Sequence, residues 1–281
     1  MKKIIVTGCN GQLGRALNEV YAGSSEIECV NTDVAELDIT DIDAVMKLAR
    51  EVKPYAIVNC AAHTNVNACE SQVDSAYRIN AIGPRNLSIA ATEMGAKLIQ
   101  ISTDYVFPGD GTRPYTEFDA VGPQSVYGAS KLAGENFVKD FAKDYFIIRT
   151  AWLYGDGNNF VKTMLKLAET NDTVSVVMDQ VGTPTSAKEL AKAIAYLLPT
   201  ENYGVFHGTC EGDCSWADFA EEIFRLAGRK TQVKRITTDE YPTPAKRPAY
   251  SILDNYMLRL TTDYQFADWH DAIVEYMKTL V

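Results

Sequence analysis

Apolar and polar positions change rhythm in blocks along the first 150 residues. Short runs rich in Ile and Val occupy 3–7, 27–32, 56–60, 97–102 and 145–149. Such runs are apolar on both faces, which suits parallel strands covered by helices on each side. Between them, apolar residues recur at helical spacing over 13–21, 41–51, 69–77, 80–94 and 130–141. Strand and helix in alternation predict an α/β protein with a doubly wound parallel sheet. After Ala151 the rhythm loosens. Helical patterns cover 160–169, 187–198, 216–226 and 269–280, and strand patterns cover 174–178 and 203–208. The proline-rich stretch 241–248 is neither helix nor central strand, because proline lacks the backbone donor both require.

At about 150 residues per domain, 281 residues correspond to roughly two domains. No repeat or low-complexity linker separates them, so the second is expected to be smaller and interleaved with the first. Hydrophobic residues at 46% with charged residues at 23% exclude disorder, collagen and coiled coil. Asp and Glu outnumber Lys and Arg, 37 to 27, for a formal net charge of −10. That balance repels phosphodiester backbones, so no nucleic-acid partner is expected, although a small anion answers to local groups instead. The apolar run Ile4-Ile5-Val6 breaks at Thr7-Gly8, too early for a signal peptide, and no stretch approaches a membrane span. A cytoplasmic protein without membrane contact is the expectation. Its six cysteines (Cys9, Cys29, Cys60, Cys69, Cys210 and Cys214) then read as reduced thiols. Cys210 and Cys214 have no second Cys/His pair nearby, so neither zinc nor another metal is expected.

Gly8-Cys9-Asn10-Gly11-Gln12-Leu13-Gly14 follows the first strand and opens the first helix. Glycines at this spacing permit a tight turn and close approach of backbone to a pyrophosphate, whose charge faces the free N–H groups of the helix start. The strand–turn–helix context is the one that gives the pattern meaning. Asp33 lies 19 residues past Gly14 at the end of the second strand, where an acid hydrogen-bonds the ribose hydroxyls of NAD and disfavours a 2′-phosphate. Asp38-Ile39, in the next loop, suits the adenine edge. The fold expected is therefore Rossmann-type, with a smaller interleaved α/β substrate domain. Residues 1–150, with parts of 180–200 and 245–260, form the dinucleotide-binding domain, and 151–281 form mainly the substrate-binding one.

Tyr127 and Lys131 stand four apart, about 6 Å or one turn along a helix face. A phenol of ordinary pKa near 10 is a poor acid–base catalyst at neutral pH, and a neighbouring ammonium lowers that value. Upstream, the strand Ile99-Gln100-Ile101 ends in Ser102-Thr103-Asp104. Carboxyl ends of strands form the ligand crevice of a doubly wound sheet, so Thr103 can hydrogen-bond a substrate carbonyl or Tyr127.

With these residues in place, the chain resembles the extended short-chain dehydrogenase/reductases, and more narrowly the dTDP-4-dehydrorhamnose reductase family. The resemblance is carried by Gly8–Gly14 and by segments 58–66, 102–107, 127–131, 149–155, 179–185 and 247–255, over nearly the whole chain. It implies a reductase that passes hydride from NADPH or NADH to C4 of a dTDP-linked 4-keto-6-deoxy sugar. Gly11, Gln12, Leu13, Asp33, Asp38, Ile39, Ala62, His63 and Thr64 would touch the cofactor, His63 through its backbone. Tyr127 would donate the proton, and Lys131 would hold the nicotinamide ribose. Thr103, Asp104 and Trp152 would meet the sugar nucleotide, with Arg247 near its diphosphate. The chain departs from the family at Asn67, where Asp is more usual. Members are monomers or homodimers, some with bound magnesium. Three alternatives stay open: a 4-epimerase, a 4,6-dehydratase, and a non-catalytic subunit similar to the regulatory subunit of methionine adenosyltransferase. A dehydratase carries Asp-Glu after the threonine, whereas Asp104 is followed here by Tyr105.

Overall fold

The computed structural model describes residues 1–280. Its first half runs β1 (Lys2–Thr7), α1 (Gln12–Val20), β2 (Ile27–Thr32), α2 (Ile42–Val52), β3 (Ala56–Asn59), α3 (Val66–Ser71), α4 (Val73–Tyr77), α5 (Gly83–Met94), β4 (Lys97–Thr103), α6 (Val126–Phe141) and β5 (Tyr145–Thr150). The second half adds β6 (Leu153–Tyr154), α7 (Phe160–Leu167), β7 (Thr173–Val177), β8 (Val181–Gly182), β9 (Thr185–Ser186), α8 (Ala187–Leu197) and β10 (Gly204–His207). It closes with β11 (Cys214–Ser215), α9 (Trp216–Leu226), β12 (Gln232–Ile236), α10 (Tyr256–Thr261) and α11 (Trp269–Met277).

Six strands form one parallel sheet in the order β10-β5-β4-β3-β1-β2. Its apolar runs divide by the two-residue period of a strand. Ile4, Val6, Val58, Ile99 and Ile148 face α1 and α8 with Leu17, Leu190 and Ile194. Their neighbours Ile5, Ile57, Leu98 and Ile147 face α2, α5 and α6 with Val45, Leu87 and Val138. A doubly wound α/β sheet is thus what the sequence pattern encodes. A separate cluster gathers α7, α9 and α11 with β7, around Val161, Val176, Phe219, Ile223 and Trp269. The strand β12 pairs in parallel with β7. Residues from 187–198, with Phe206, Leu258 and Phe266, return to the first core. The edge strand β10 also joins the main sheet, outside the expected stretches 180–200 and 245–260, because Phe206 is wholly buried beside Phe146.

Three differences from expectation have local causes. The helix expected over 130–141 begins at Val126, since the Ser125 hydroxyl accepts from the Gly128 N–H at 3.2 Å and caps it. The helix expected over 69–77 is two, interrupted at Gln72. Residues Arg78–Ile82 form a π-helical turn, with the Gly83 N–H donating to the Arg78 carbonyl. Pro84 has no N–H to offer the Asn80 carbonyl four residues back, so the α-helical ladder is already broken there.

Candidate active site

The turn after β1 is shaped by what its glycines exclude. Gly8 has φ +63°, and a Cβ there would lie 2.8 Å from Ala61 Cα; a Cβ on Gly14 would lie 2.5 Å from the Gly8 carbonyl oxygen. Gly11, the N-cap of α1, offers no side chain, so the amides of the first helical turn stay free for an anion. At the end of β2, Asp33 accepts from the Asn10 N–H at 3.1 Å and the Val34 N–H at 2.8 Å. These bonds hold the carboxylate at the rim of the turn. Further on, the Asn86 amide donates to the Ile39 and Thr40 carbonyls at 3.1 Å each and fixes the Asp38–Ile39 loop. A turn too tight for a side chain at Gly8 or Gly14, with free helix amides and a fixed acid at its rim, fits a dinucleotide.

On the opposite wall, α6 presses its first turn against Asp104–Val106. A Cβ on Gly128 would fall on the Tyr105 carbonyl oxygen, so only glycine permits this approach. The approach brings the Tyr127 phenol beside the Thr103 hydroxyl and sets the Tyr105 ring edge-on at 5.3 Å. The Thr103 hydroxyl donates to Asp104 Oδ1 at 2.8 Å. One strand residue back, the Ser102 hydroxyl donates to Glu135 at 2.6 Å, and Glu135 is held by Arg149 in a buried bidentate pair at 2.7 and 2.9 Å. The end of β4 is therefore anchored to α6 on both sides of the catalytic candidates.

Burial decides the protonation states. It pushes the Tyr127 phenol up, against the influence of the neighbouring Thr103 hydroxyl. A phenol lowered by its lysine was the expectation. Burial raises it instead, and the Lys131 Nζ donates to the Ile101 carbonyl at 2.6 Å. Burial brings Lys131 down to about 8, opposed by the Glu135 carboxylate. Asp104 is pushed up to about 6 by burial, against the Thr103 bond.

One cavity of about 990 Å³ joins the two walls. Of the expected residues, Gly8, Gly11, Gln12, Leu13, Gly14, Asp33, Asp38, Ile39, Ala62, Thr64, Thr103, Asp104, Tyr127, Lys131 and Trp152 all line it. His63 does not: its ring contacts Gln72 at 3.0 Å and Cys69 at 3.4 Å, while Asn80 bonds both its N–H (2.8 Å) and its carbonyl (3.1 Å). Arg247 is also outside the lining, at the Tyr105 hydroxyl, with a buried Nε that has no protein partner. Asn67 accepts from the Ala245 N–H at 3.5 Å and so touches the proline-rich loop. His207 is wholly buried, and burial lowers it to about 3.

Sequence reasoning passed over Asn80, Arg78 and Trp216. The last two line the cavity, and the Asn80 amide donates to Ser130, between Tyr127 and Lys131, as well as to the His63 backbone. The strongest available signal was Asn80 four residues before Pro84. Among the described residues no group of three or more His, Cys, Asp or Glu could hold a metal ion, and no helix is long and apolar enough to cross a membrane.

A parallel sheet, a glycine turn at its crevice and a Thr/Tyr/Lys wall facing it define an extended short-chain dehydrogenase/reductase. The family model described as RmlD substrate binding domain matches residues 1–281. The dTDP-4-dehydrorhamnose reductase of Aggregatibacter actinomycetemcomitans is 39% identical over 97% of each chain. Among solved structures, a dTDP-4-dehydrorhamnose reductase from Clostridium acetobutylicum superposes with a TM-score of 0.97 at 56% identity, covering 99% of each chain. That of Bacillus anthracis, in complex with NADP, gives 0.97 at 44% identity over 99% of this chain and all of its own. The chain belongs to the dTDP-4-dehydrorhamnose reductase family.

Proposed function

We propose that this chain is an NAD(P)H-dependent oxidoreductase that reduces the C4 keto group of dTDP-4-dehydro-L-rhamnose to dTDP-L-rhamnose. The observation that carries the reading is the meeting of the Tyr127 phenol, the Thr103 hydroxyl and Lys131 in the same cavity as the glycine turn. When bound, the cofactor supplies the hydride. The first-turn amides from Gln12 and Leu13 hold its pyrophosphate, Asp33 its adenosine ribose, and Asp38 and Ile39 its adenine end. Ala62, Thr64 and the His63 backbone complete the cradle, and Lys131 takes the nicotinamide ribose.

At the reacting carbonyl, this chain manages a proton. Burial keeps the Tyr127 phenol protonated at neutral pH, so it is a donor and not a base in the reducing direction. As charge develops on O4, the phenolic proton passes to that oxygen and leaves a phenolate, which the Lys131 charge stabilises. Lys131, at about 8, stays mostly charged for this at neutral pH. Thr103, Asp104 and Trp152 bound the sugar, and the unpaired Nε of Arg247 suits the diphosphate. Residues 1–150, with the returning segments, make the cofactor domain, and the cluster around Phe219 makes the substrate domain.

The test follows loss of reduced-nicotinamide absorbance with dTDP-4-dehydrorhamnose, using NADH and NADPH in separate assays. Consumption matching the formation of dTDP-rhamnose is the expected result. A product formed without net consumption would mark an epimerase, and inertness with either cofactor would end the proposal.

A further inference from the structure

Trp152 has φ +47°, a left-handed conformation that a bulky residue adopts only when its surroundings force it. Two contacts supply the force. On one side lies Gly182, where an added Cβ would sit 2.6 Å from Trp152 Cε2 and 2.8 Å from its Nε1. On the other, the indole of Trp216 stacks on that of Trp152 with centroids 3.5 Å apart and planes within 7°. Both jaws belong to one small unit, because Gly182 pairs with Cys214 across β8 and β11, and Trp216 follows Ser215 directly. Trp216 is itself fixed. It opens α9 behind a capping box between Ser215 and Asp218, and its ring abuts Phe160 at 4.5 Å. Both indoles line the cavity that holds Thr103 and Tyr127.

We infer that Trp216 is a positioning residue for the reduction: with Gly182 it grips the Trp152 indole, so that a single rigid aromatic wall fixes which face of the sugar ring meets the hydride. The inference rests on the reading that Trp152 borders the sugar nucleotide. A parallel indole pair surrenders little freedom on binding, whereas a mobile Trp152 would let the ring tilt about C4. The apolar surface suits the least hydroxylated side of a 6-deoxy sugar.

The experiment compares W216L, W216F and W152L as full-length proteins. Four quantities are measured: kcat/KM for dTDP-4-dehydrorhamnose, NADH affinity by fluorescence titration, the C4 configuration of the product, and the exciton circular-dichroism couplet of stacked indoles. For W216L we expect loss of the couplet, unchanged NADH affinity and kcat/KM down on the order of 10- to 100-fold, the scale of an ångström-sized misplacement. Some product should carry the opposite C4 configuration, an effect that mere loss of packing would not produce. W216F keeps a ring to stack and should recover most of the rate. Wild-type kcat/KM and a single product epimer from W216L overturn the inference, as does W216F performing no better than W216L. Should W216L not fold, W216M, which also lacks a ring, replaces it under the same criteria: wild-type kcat/KM with a single product epimer, or W216F performing no better than W216M, overturns the inference. W152L separates the two levels. Its wild-type behaviour would sink the placement of the sugar against Trp152, whereas impairment in W152L but not in W216L sinks only the grip.

Discussion

At the scale of single residues, Tyr127 and Asp104 both lie beside the Thr103 hydroxyl, yet burial sets them different tasks. The phenol keeps its proton for transfer, so Tyr127→Phe should lower kcat about 10²-fold or more while leaving NADH affinity nearly intact. Stopped-flow turnover and a binding titration check both halves. Asp104 is 2% exposed and protonates at about 6, above its ordinary 3.8. The folded chain therefore binds a proton there that the unfolded chain has released. The resulting stability is present below pH 3.8 and is lost as pH rises through 6. Asp104→Asn cannot ionise and should not lose it. Urea unfolding of both proteins should show the wild type falling relative to the variant between about pH 4 and pH 7, by roughly 2–3 kcal/mol at most. Parallel curves would mean that the carboxyl is hydrated. The candidate acids, bases and hydroxyls were legible in the sequence because their chemistry is intrinsic to the residue type. Trp216 and Asn80 were not, because an indole and an amide acquire a role only from what the fold lays against them.

At the scale of elements, the first turn of α6 is the part with least room. Gly128→Ala would drive a methyl into the Tyr105 carbonyl oxygen, a backbone atom unable to rotate away, so the helix must retreat from the Thr103 turn. Overpacking of this kind costs about 1–3 kcal/mol, and the retreat carries Tyr127 with it. A lowered melting temperature together with a larger fall in kcat than in cofactor affinity is the expected pair of results. Strands β1, β3, β4 and β5 announce themselves because each carries a run of aliphatic residues buried on both faces, whereas β2 is only part-buried and shows the signal weakly. β12, with Gln232, Lys234 and Arg235 exposed, carries no such signal and exists through its pairing with β7. The two-residue strands β6, β8, β9 and β11 have no periodicity to read. The π-helical turn follows from a proline four residues ahead of a carbonyl, a cue that marks a break but not which ladder replaces it.

At the scale of the whole molecule, the question is how two apolar cores behave as one. The glycine turn belongs to the first core, but its Gln12 is held from the second. The Asn159 amide donates to Gln12 Oε1 at 3.1 Å and to the Gly155 carbonyl at 2.7 Å, while its Oδ1 caps α7 by accepting from the Lys162 N–H. The Tyr276 hydroxyl, from α11, donates to the same Gly155 carbonyl at 2.6 Å. Arg15, in α1, adds an ion pair with Asp156 at 2.6 Å, though both partners are about half exposed and the pair contributes little on its own. A cofactor seated on the turn therefore loads both cores through Gln12. Binding at 100 times the dissociation constant should raise unfolding free energy by about 2.7 kcal/mol, and it should do so for a single transition instead of for the first core alone. Asn159→Ala removes the strut without touching the cradle. In that variant the cofactor-induced shift should split into a stabilised and an unshifted transition by calorimetry, with weaker NADH binding because the turn must now be ordered by the ligand. One cofactor-shifted transition and wild-type affinity in Asn159→Ala would show that the cores communicate through the sheet and the chain crossing at Ala151, and that the amide strut is packing alone.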